Sequence, residues 1–106
     1  MSGNDNGYDA SGPRIESAFR EFHKQNPSVY VMLLEYAKQA KRRGAKHMGI
    51  AMLWERLRWY VVVESNDSAS PYKLNNNYRA HYARLLEESE PDLRGFFTTR
   101  RLRSWA

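Results

Sequence analysis

Gly44-Ala45-Lys46-His47-Met48-Gly49 is the stretch that decides the fold of this 106-residue chain, because it separates two segments with helical spacing. Apolar residues recur before it over 29–40 at i, i+3, i+4, i+7, i+8 and i+11, and after it over 50–57. Such spacing places apolar side chains on one face of a helix. Two helices joined by a glycine-bracketed turn form the outline of a helix-turn-helix, a unit that often contacts nucleic acid.

Two further helices are expected around this unit. Pro13 suits the first position of a helix over Pro13–Gln25, and an asparagine run precedes a second helix over 77–89. Asn26 and Pro27 are expected to begin the helix that Gly44 ends. Phe96 and Phe97 are expected to pack back on the domain. The apolar faces of the two outer helices are Ile15, Ala18, Phe19 and Phe22 in the first, and Tyr78, His81, Tyr82, Leu85 and Leu86 in the second.

The run Trp59-Tyr60-Val61-Val62-Val63 leaves two alternatives. Its β-branched and aromatic residues favour a strand, with residues 65–71 as a loop and 72–74 as the returning strand. The other alternative is that the preceding helix continues to about Glu64. The hairpin is preferred here, and it would lie where winged-helix proteins carry their wing. Val61 and Val63 would close the core if this hairpin were only a flap.

The fold class predicted is therefore mainly α. We expect a compact helical domain with a helix-turn-helix-like unit and, under the hairpin alternative, a small wing-like β-hairpin after its second helix. Residues 1–12 are rich in Gly, Asn and Asp and are predicted to form a disordered tail. Residues 13–97 form the single domain, and 98–106 form a basic C-terminal tail.

Composition excludes several classes of function. The chain has no cysteine, so a disulfide framework or a cysteine-based metal site is ruled out. Its apolar runs are too short to cross a bilayer, and its first residues lack the pattern of a secretory signal. The three histidines, His23, His47 and His81, show no metal-ligand spacing, and no catalytic motif is found. We therefore expect a cytoplasmic protein that is not an enzyme, with no cofactor or metal and no membrane partner.

The formal net charge of +5 is concentrated in two blocks of cations. The first is Lys38, Lys41, Arg42, Arg43 and Lys46, and the second is Arg94, Arg100, Arg101 and Arg103. Clustered cations of this kind attract polyanions. The same pattern would also arise from a solvated basic surface, or from cations that stabilise the end of a helix by complementing its dipole. Three asparagines, Asn75, Asn76 and Asn77, could contact bases, but capping the following helix is the favoured interpretation. The residues predicted to contact nucleic acid are Lys38, Lys41, Arg42, Arg43, Lys46, Arg56, Arg58, Lys73, Arg100 and Arg101.

Nucleic-acid binding, with duplex DNA as the expected target, is the preferred function. The residues at the start of the second helix, 48–52, have almost no hydrogen-bonding side chains, so binding would be backbone-dominated and weakly sequence-specific. The alternative is a protein-interaction module, such as an inhibitor of a host factor or a homodimer. Trp59 and Trp105 are its candidate interface residues, since Trp and Arg dominate protein interfaces.

Much of the chain also resembles a family of small, largely uncharacterised proteins encoded by bacteriophages and prophages. The resemblance covers about residues 19–104 and implies no activity or site residue. It implies a viral or mobile-element gene that acts inside a host cell, in DNA handling or in interference with a host system. The segments that carry it are KHMGIAMLWERLRW (46–59), YKLNNNY (72–78), YARLL (82–86) and EPDL (90–93).

Overall fold

The structure, a computed structural model, describes residues 13–64 and 74–97. It contains four α-helices: α1 (Pro13–Gln25), α2 (Pro27–Arg42), α3 (Ile50–Trp59) and α4 (Tyr78–Ser89). A π-helical turn, Tyr60–Glu64, continues α3, and a 3₁₀ turn, Pro91–Leu93, follows α4. The prediction of a mainly helical fold is confirmed. No described helix has the length and apolarity needed to cross a membrane.

The helices pack around one core, and most of its residues come from the helix faces predicted to be apolar. On α2, Val29, Leu33 and Ala37 are buried, and the remaining positions of its predicted face, Met32, Tyr36 and Ala40, are half-buried. Helix α1 departs from prediction at one position, because Ala18 is exposed. The buried core consists of Phe19, Phe22, Val29, Leu33, Ala37, Leu53, Trp54, Leu57, Val61, Leu74, Tyr78, Tyr82, Leu86, Leu93, Phe96 and Phe97.

Aromatic rings join α1, α3 and α4 at the centre of this core. The ring of Tyr82 on α4 meets Phe19 of α1 edge-on, with ring centroids 4.8 Å apart. The same ring lies 5.8 Å from Trp54 of α3. Aromatic pairs at such distances contribute about 1 kcal/mol each beyond the area they bury. Tyr82 therefore links three helices that are far apart in the chain.

The short connection between α1 and α2 uses Asn26 differently from the expectation. Asn26 occupies the N-cap position of α2, and Pro27 follows as the first helical residue. Its side chain makes no capping hydrogen bond to α2. Instead its Nδ2 donates to the backbone oxygen of Phe22, 3.1 Å away, in the last turn of α1. Asn26 thus closes the helix behind it, while Pro27 begins the helix ahead without an amide hydrogen to satisfy.

The predicted strand over 59–63 is wrong, and the wing-like hairpin loses its first strand. Leu57 and Val61 are both buried, so a helical path after Trp59 carries Val61 to the core that Leu57 already occupies. A strand would have faced Val61 and Val63 to the same side, but Val63 is 56% exposed. Packing has overridden the β-propensity of the valines. Among residues 13–64 and 74–97, the only β contact is an isolated parallel bridge between Met48 and Phe97.

Candidate nucleic-acid interface

Helix α2 ends in a glycine turn that presents the first block of cations. Gly44 adopts a φ of +105°, a conformation that side chains other than glycine rarely take. The amide of Gly44 donates to the oxygen of Lys41 at 3.0 Å, and the amide of Ala45 donates to the oxygen of Ala40 at 3.0 Å. These two bonds form a Schellman motif, which satisfies the last carbonyl groups of the helix. The prediction that Gly44 ends the helix is confirmed.

The other end of the connection is held by the segment after α4. The amide of Met48 donates to the backbone oxygen of Phe96 at 3.0 Å. The amide of Phe97 in turn donates to Oε2 of Glu87 on α4, 2.9 Å away. Phe96 and Phe97 are buried, as expected for residues that pack back on the domain. The connection between α2 and α3 is therefore fixed at both ends.

Four predicted site residues lie at the end of α2 and in the connection that follows it. Lys41, Arg42, Arg43 and Lys46 are all exposed, and none forms an ion pair with any residue in 13–64 or 74–97. We call these four residues the basic turn. Their charges remain available to an external anion. Lys41 and Arg42, in the last turn of α2, also complement the negative end of its helix dipole.

Lys38 belongs to the first block of cations in the sequence, but unlike the basic turn it is paired with carboxylates. Its ammonium nitrogen lies 3.1 Å from Oε1 of Glu90 and 3.6 Å from Oδ2 of Asp92. The hydrogen bond that Lys38 donates to Glu90 is the main cause that raises the pKa of Lys38 above its ordinary value. The prediction of Lys38 as a phosphate contact loses its support, because two carboxylates already neutralise its charge.

Arg56 and Arg58 are likewise engaged within the protein. The guanidinium of Arg56 lies over the ring of Tyr36 on α2, 5.0 Å from its centroid. Arg58 donates from Nε to Glu55 at 3.1 Å and from its terminal nitrogen to Oδ1 of Asn76 at 2.7 Å. These arginines hold α3 against α2 and against the segment before α4. Their predicted role near bases receives no support from these contacts.

The three asparagines lead into α4, and their side chains have different partners. Asn75 Oδ1 accepts from the amide of Asn77 at 2.8 Å, and the oxygen of Asn75 accepts from the amide of Tyr78 at 2.9 Å. The Asn75 side chain therefore forms an Asx turn. Asn77 occupies the N-cap position without a side-chain capping bond. Helix initiation, the favoured interpretation of the run, is supported at Asn75, while Asn76 holds Arg58.

The helix-turn-helix outline differs from the usual unit in its connection. The chain runs from Arg43 to Gly49 between α2 and α3, whereas the usual turn has three or four residues. Helix α3 begins with Gly49 as N-cap, and its exposed first-turn side chains, Ala51 and Met52, offer no hydrogen bonds. A helix-turn-helix therefore stays a prediction. The exposed cations thus lie at the end of α2 and in the connection, and not at the start of α3.

The remaining predicted residues fall into two groups. Trp59 is 57% exposed at the end of α3, and its Nε1 donates to Oε2 of Glu64 at 2.9 Å. Lys73, Arg100, Arg101 and Trp105 lie outside the residues that the structure describes. Arg94 belongs to the second basic block of the sequence but was not among the predicted site residues. It is an exposed cation two residues before Phe96, whose carbonyl holds the turn. No local pattern indicates that proximity, because Arg94 and Met48 are distant in the chain.

Comparisons with protein-family models, curated proteins and solved structures give no match for this chain. The resemblance to phage-encoded proteins therefore stays a prediction. Within 13–64 and 74–97, His, Asp and Glu side chains form no group of three that could hold a metal ion. The candidate site is thus defined by its own geometry, with the basic turn as its centre.

Proposed function

We propose that this protein binds nucleic acid, duplex DNA foremost, by contacting the phosphate backbone with the basic turn. The observation that carries the proposal is the exposure of Lys41, Arg42, Arg43 and Lys46 at the end of α2 and in the connection after it, where no carboxylate of residues 13–64 or 74–97 is paired with them. Every other predicted cation that the structure describes is paired or stacked. Four unpaired cations within six consecutive residues attract a polyanion more strongly than cations scattered along the chain do.

The backbone around the basic turn supports the same chemistry. Gly49 caps α3 without a side chain, so the first amide hydrogens of α3 receive no side-chain cap. A helix N-terminus carries a partial positive charge and attracts phosphate oxygens. The turn is also fixed by the Met48 and Gly44 hydrogen bonds, so less conformational entropy is lost on binding than for a flexible basic tail.

The same geometry predicts weak sequence specificity. Base identity is read by side chains that donate or accept hydrogen bonds at groove edges. Ala51 and Met52, exposed in the first turn of α3, can do neither. Arg56 and Arg58, which could, are already held by Tyr36, Glu55 and Asn76. Binding through the basic turn therefore depends on phosphates and discriminates little between sequences.

The proposal is tested by titrating a labelled duplex of ~20 base pairs, a length that covers about two turns of the double helix, and following fluorescence anisotropy. If each cation of the basic turn neutralises one phosphate, a plot of the logarithm of the binding constant against the logarithm of the salt concentration has a slope of about −3.6. Affinity should then drop roughly 100-fold between ~50 and ~200 mM salt. Two unrelated duplex sequences should bind with affinities within about threefold of each other.

A pair of matched variants assigns the effect to the basic turn. In the first, Arg42, Arg43 and Lys46 are replaced by Gln; in the second, the exposed cations Arg14, Lys24 and Arg84 of α1 and α4 are replaced in the same way. Both lose three charges. The first should weaken binding at ~50 mM salt at least 30-fold and reduce the slope by about 2.7, while the second should change little. Equal losses in both variants, or undetectable binding by the wild-type chain at ~50 mM salt, would overturn the proposal.

A further inference from the structure

Residues 93–96 form a tight turn that carries Arg94 at its tip. The amide of Phe96 donates to the backbone oxygen of Leu93 at 2.9 Å. Arg94 has a φ of −61° and a ψ of 126°, and Gly95 has a φ of +77°. These values fit a type II β-turn, whose third residue needs a positive φ and is usually glycine. Leu93 and Phe96 are buried on either side, whereas Arg94 is exposed. The turn therefore fixes the backbone of Arg94 and leaves its side chain in solvent.

The end of this turn is joined to the connection between α2 and α3. The carbonyl of Phe96 accepts from the amide of Met48 at 3.0 Å, and Phe97 forms a parallel bridge with Met48. In a parallel pair the two chains run in the same direction, so the residues before Met48 and before Phe97 lie at the same end of the bridge. Lys46 is two residues before Met48, and Arg94 is three residues before Phe97. Because three residues of chain span at most about 11 Å, both cations lie close to the bridge and to each other.

The segment that leads into the turn is tied to the end of α2 as well. Glu90 and Asp92 lie 3.1 and 3.6 Å from the ammonium nitrogen of Lys38, which is three residues before the basic turn begins. Residues 90–97 therefore contact the chain on both sides of the basic turn, at Lys38 and at Met48. Arg94 itself forms no ion pair with any carboxylate of residues 13–64 or 74–97. It is thus a fifth unpaired cation beside the four of the basic turn.

We propose that Arg94 binds a phosphate of the same nucleic acid as the basic turn, so that two segments distant in the chain form one phosphate-binding surface. The proposal rests on the proposed function and adds to it a second segment and a fifth contact. The guanidinium of arginine presents paired N–H donors that fit phosphate oxygens. Hydrogen bonds fix the backbone of both segments, so little conformational entropy is lost when the phosphates bind. A duplex carries one negative charge per about 1.7 Å of its axis, so five neighbouring cations can each meet a phosphate.

Replacing Arg94 in the full chain tests its contact with a duplex of ~20 base pairs. Five phosphate contacts give a salt slope of about −4.5 for the wild-type chain, and Arg94→Gln should return it to about −3.6. At ~50 mM salt R94Q should bind about tenfold more weakly. Arg94→Lys keeps the charge and should keep the wild-type slope. The matched control is Lys24→Gln, because Lys24 precedes α2 and the 16 residues of that helix, roughly 24 Å long, separate it from the basic turn.

A carboxylate near Arg94 provides a test of opposite sign. Glu90 and Asp92 carry two negative charges and Lys38 offsets one, so one negative charge remains beside Arg94. Asp92→Asn removes a charge two residues from Arg94 and should raise the affinity at ~50 mM salt at least about twofold, because less repulsion acts on the phosphates. Glu21→Gln removes the same charge from α1, near Lys24, and should not change the affinity. Equal affinities of D92N and E21Q would place residues 90–97 away from the phosphates and overturn the proposal.

The outcomes separate this proposal from the proposed function. A wild-type slope near −3.6, with R94Q equal to K24Q, means that the basic turn binds DNA without Arg94, and only this proposal is then overturned. A slope for R94K as low as that of R94Q overturns it too, because a phosphate contact made through charge would survive in the lysine variant. Undetectable binding by the wild-type chain at ~50 mM salt overturns the proposed function and this proposal together. Arg94 is exposed, so R94Q should melt within about 3 °C of wild type.

Discussion

The ammonium group of Lys38 on α2 lies 3.1 Å from the carboxylate of Glu90, the C-cap residue of α4. This ion pair joins two segments that are 52 positions apart and separates Lys38 from the basic turn that follows it. The fold therefore divides the first block of cations. Lys38 is paired with a carboxylate of the same chain, and the other four cations face solvent.

The first prediction concerns this division. The double variant Lys38→Gln with Glu90→Gln removes one positive and one negative charge, so the net charge is unchanged. Its affinity for duplex DNA should stay within about twofold of wild type, and its salt slope should not change. Arg43→Gln should lower the affinity about tenfold at ~50 mM salt. Anisotropy titrations of both variants decide the question, and a loss in the double variant as large as that of R43Q would return Lys38 to the site.

The second prediction concerns the backbone of Gly44. A Cβ atom at this position would meet nothing within 4 Å, so Gly44→Ala tests conformation without a steric clash. The φ of +105° should make G44A less stable by about 1–2 kcal/mol, measured by urea unfolding. Asn tolerates positive φ better than Ala, so Gly44→Asn should cost less. Equal stability of G44A and wild type would show that the chain does not keep this turn in solution.

The third prediction distinguishes the helical path of residues 60–64 from a strand. Val61 is 7% exposed and Val63 56% exposed, whereas a strand would bury both. Val61→Thr places a hydroxyl in the core and should destabilise the fold by about 1–3 kcal/mol. Val63→Thr should change the free energy of unfolding by less than about 0.5 kcal/mol. Similar costs at the two positions would indicate the strand after all.

The fourth prediction concerns the buried hydroxyl of Tyr82. Burial raises the pKa of Tyr82 well above its ordinary value. Above pH ~10 the unfolded tyrosine ionises while the folded one stays neutral, so the free energy of unfolding should fall as pH rises further. Tyr82→Phe removes this contribution, so its stability should fall less steeply above pH ~10 than that of wild type. Tyr36 and Tyr78, whose pKa values are also raised by burial, should leave a residual slope.

At neutral pH the same variant tests whether the hydroxyl of Tyr82 is hydrogen-bonded. The hydroxyl of Tyr82 has no hydrogen-bond partner in the part of the chain that the structure describes. Y82F should therefore match wild-type stability within about 1 kcal/mol at pH 7, because only a buried group without a partner is removed. Thermal unfolding at pH 7 and pH 11 measures both effects. A loss of more than about 2 kcal/mol at pH 7 would show that the hydroxyl is bonded.

The helices were predictable because their signals are local. Apolar spacing identified the buried sides of α2, α3 and α4, and Gly44 marked the end of α2. The exposed Ala18 is an error at the edge of a predicted face. The strand predicted over 59–63 failed for a different reason, since β-branched residues favour a strand only weakly. Val61 gains more by packing beside Leu57 than the strand propensity could offset.

The candidate site was predictable only in outline. The four residues of the basic turn follow from a charge block beside a glycine. The engagement of Arg58 by Asn76 does not, because the two residues come from different elements. Trp59 was predicted as an interface residue, and its exposure agrees with that interpretation without testing it. The exposure of Val62 and Val63 after Trp59 emerged only when residues 60–64 proved helical.

The sequence by itself determined where the helices lie and which side of each is apolar, because backbone hydrogen bonds and side-chain periodicity operate within one or two helical turns. Only the tertiary structure decided which cations remain free and whether the valines after Trp59 continue a helix. Those outcomes depend on contacts between residues such as Lys38 and Glu90 that the chain separates and that packing alone brings together. The sequence therefore shows which cations could bind an anion. The fold decides which of them stay free, because it pairs some with a carboxylate and stacks others on an aromatic ring.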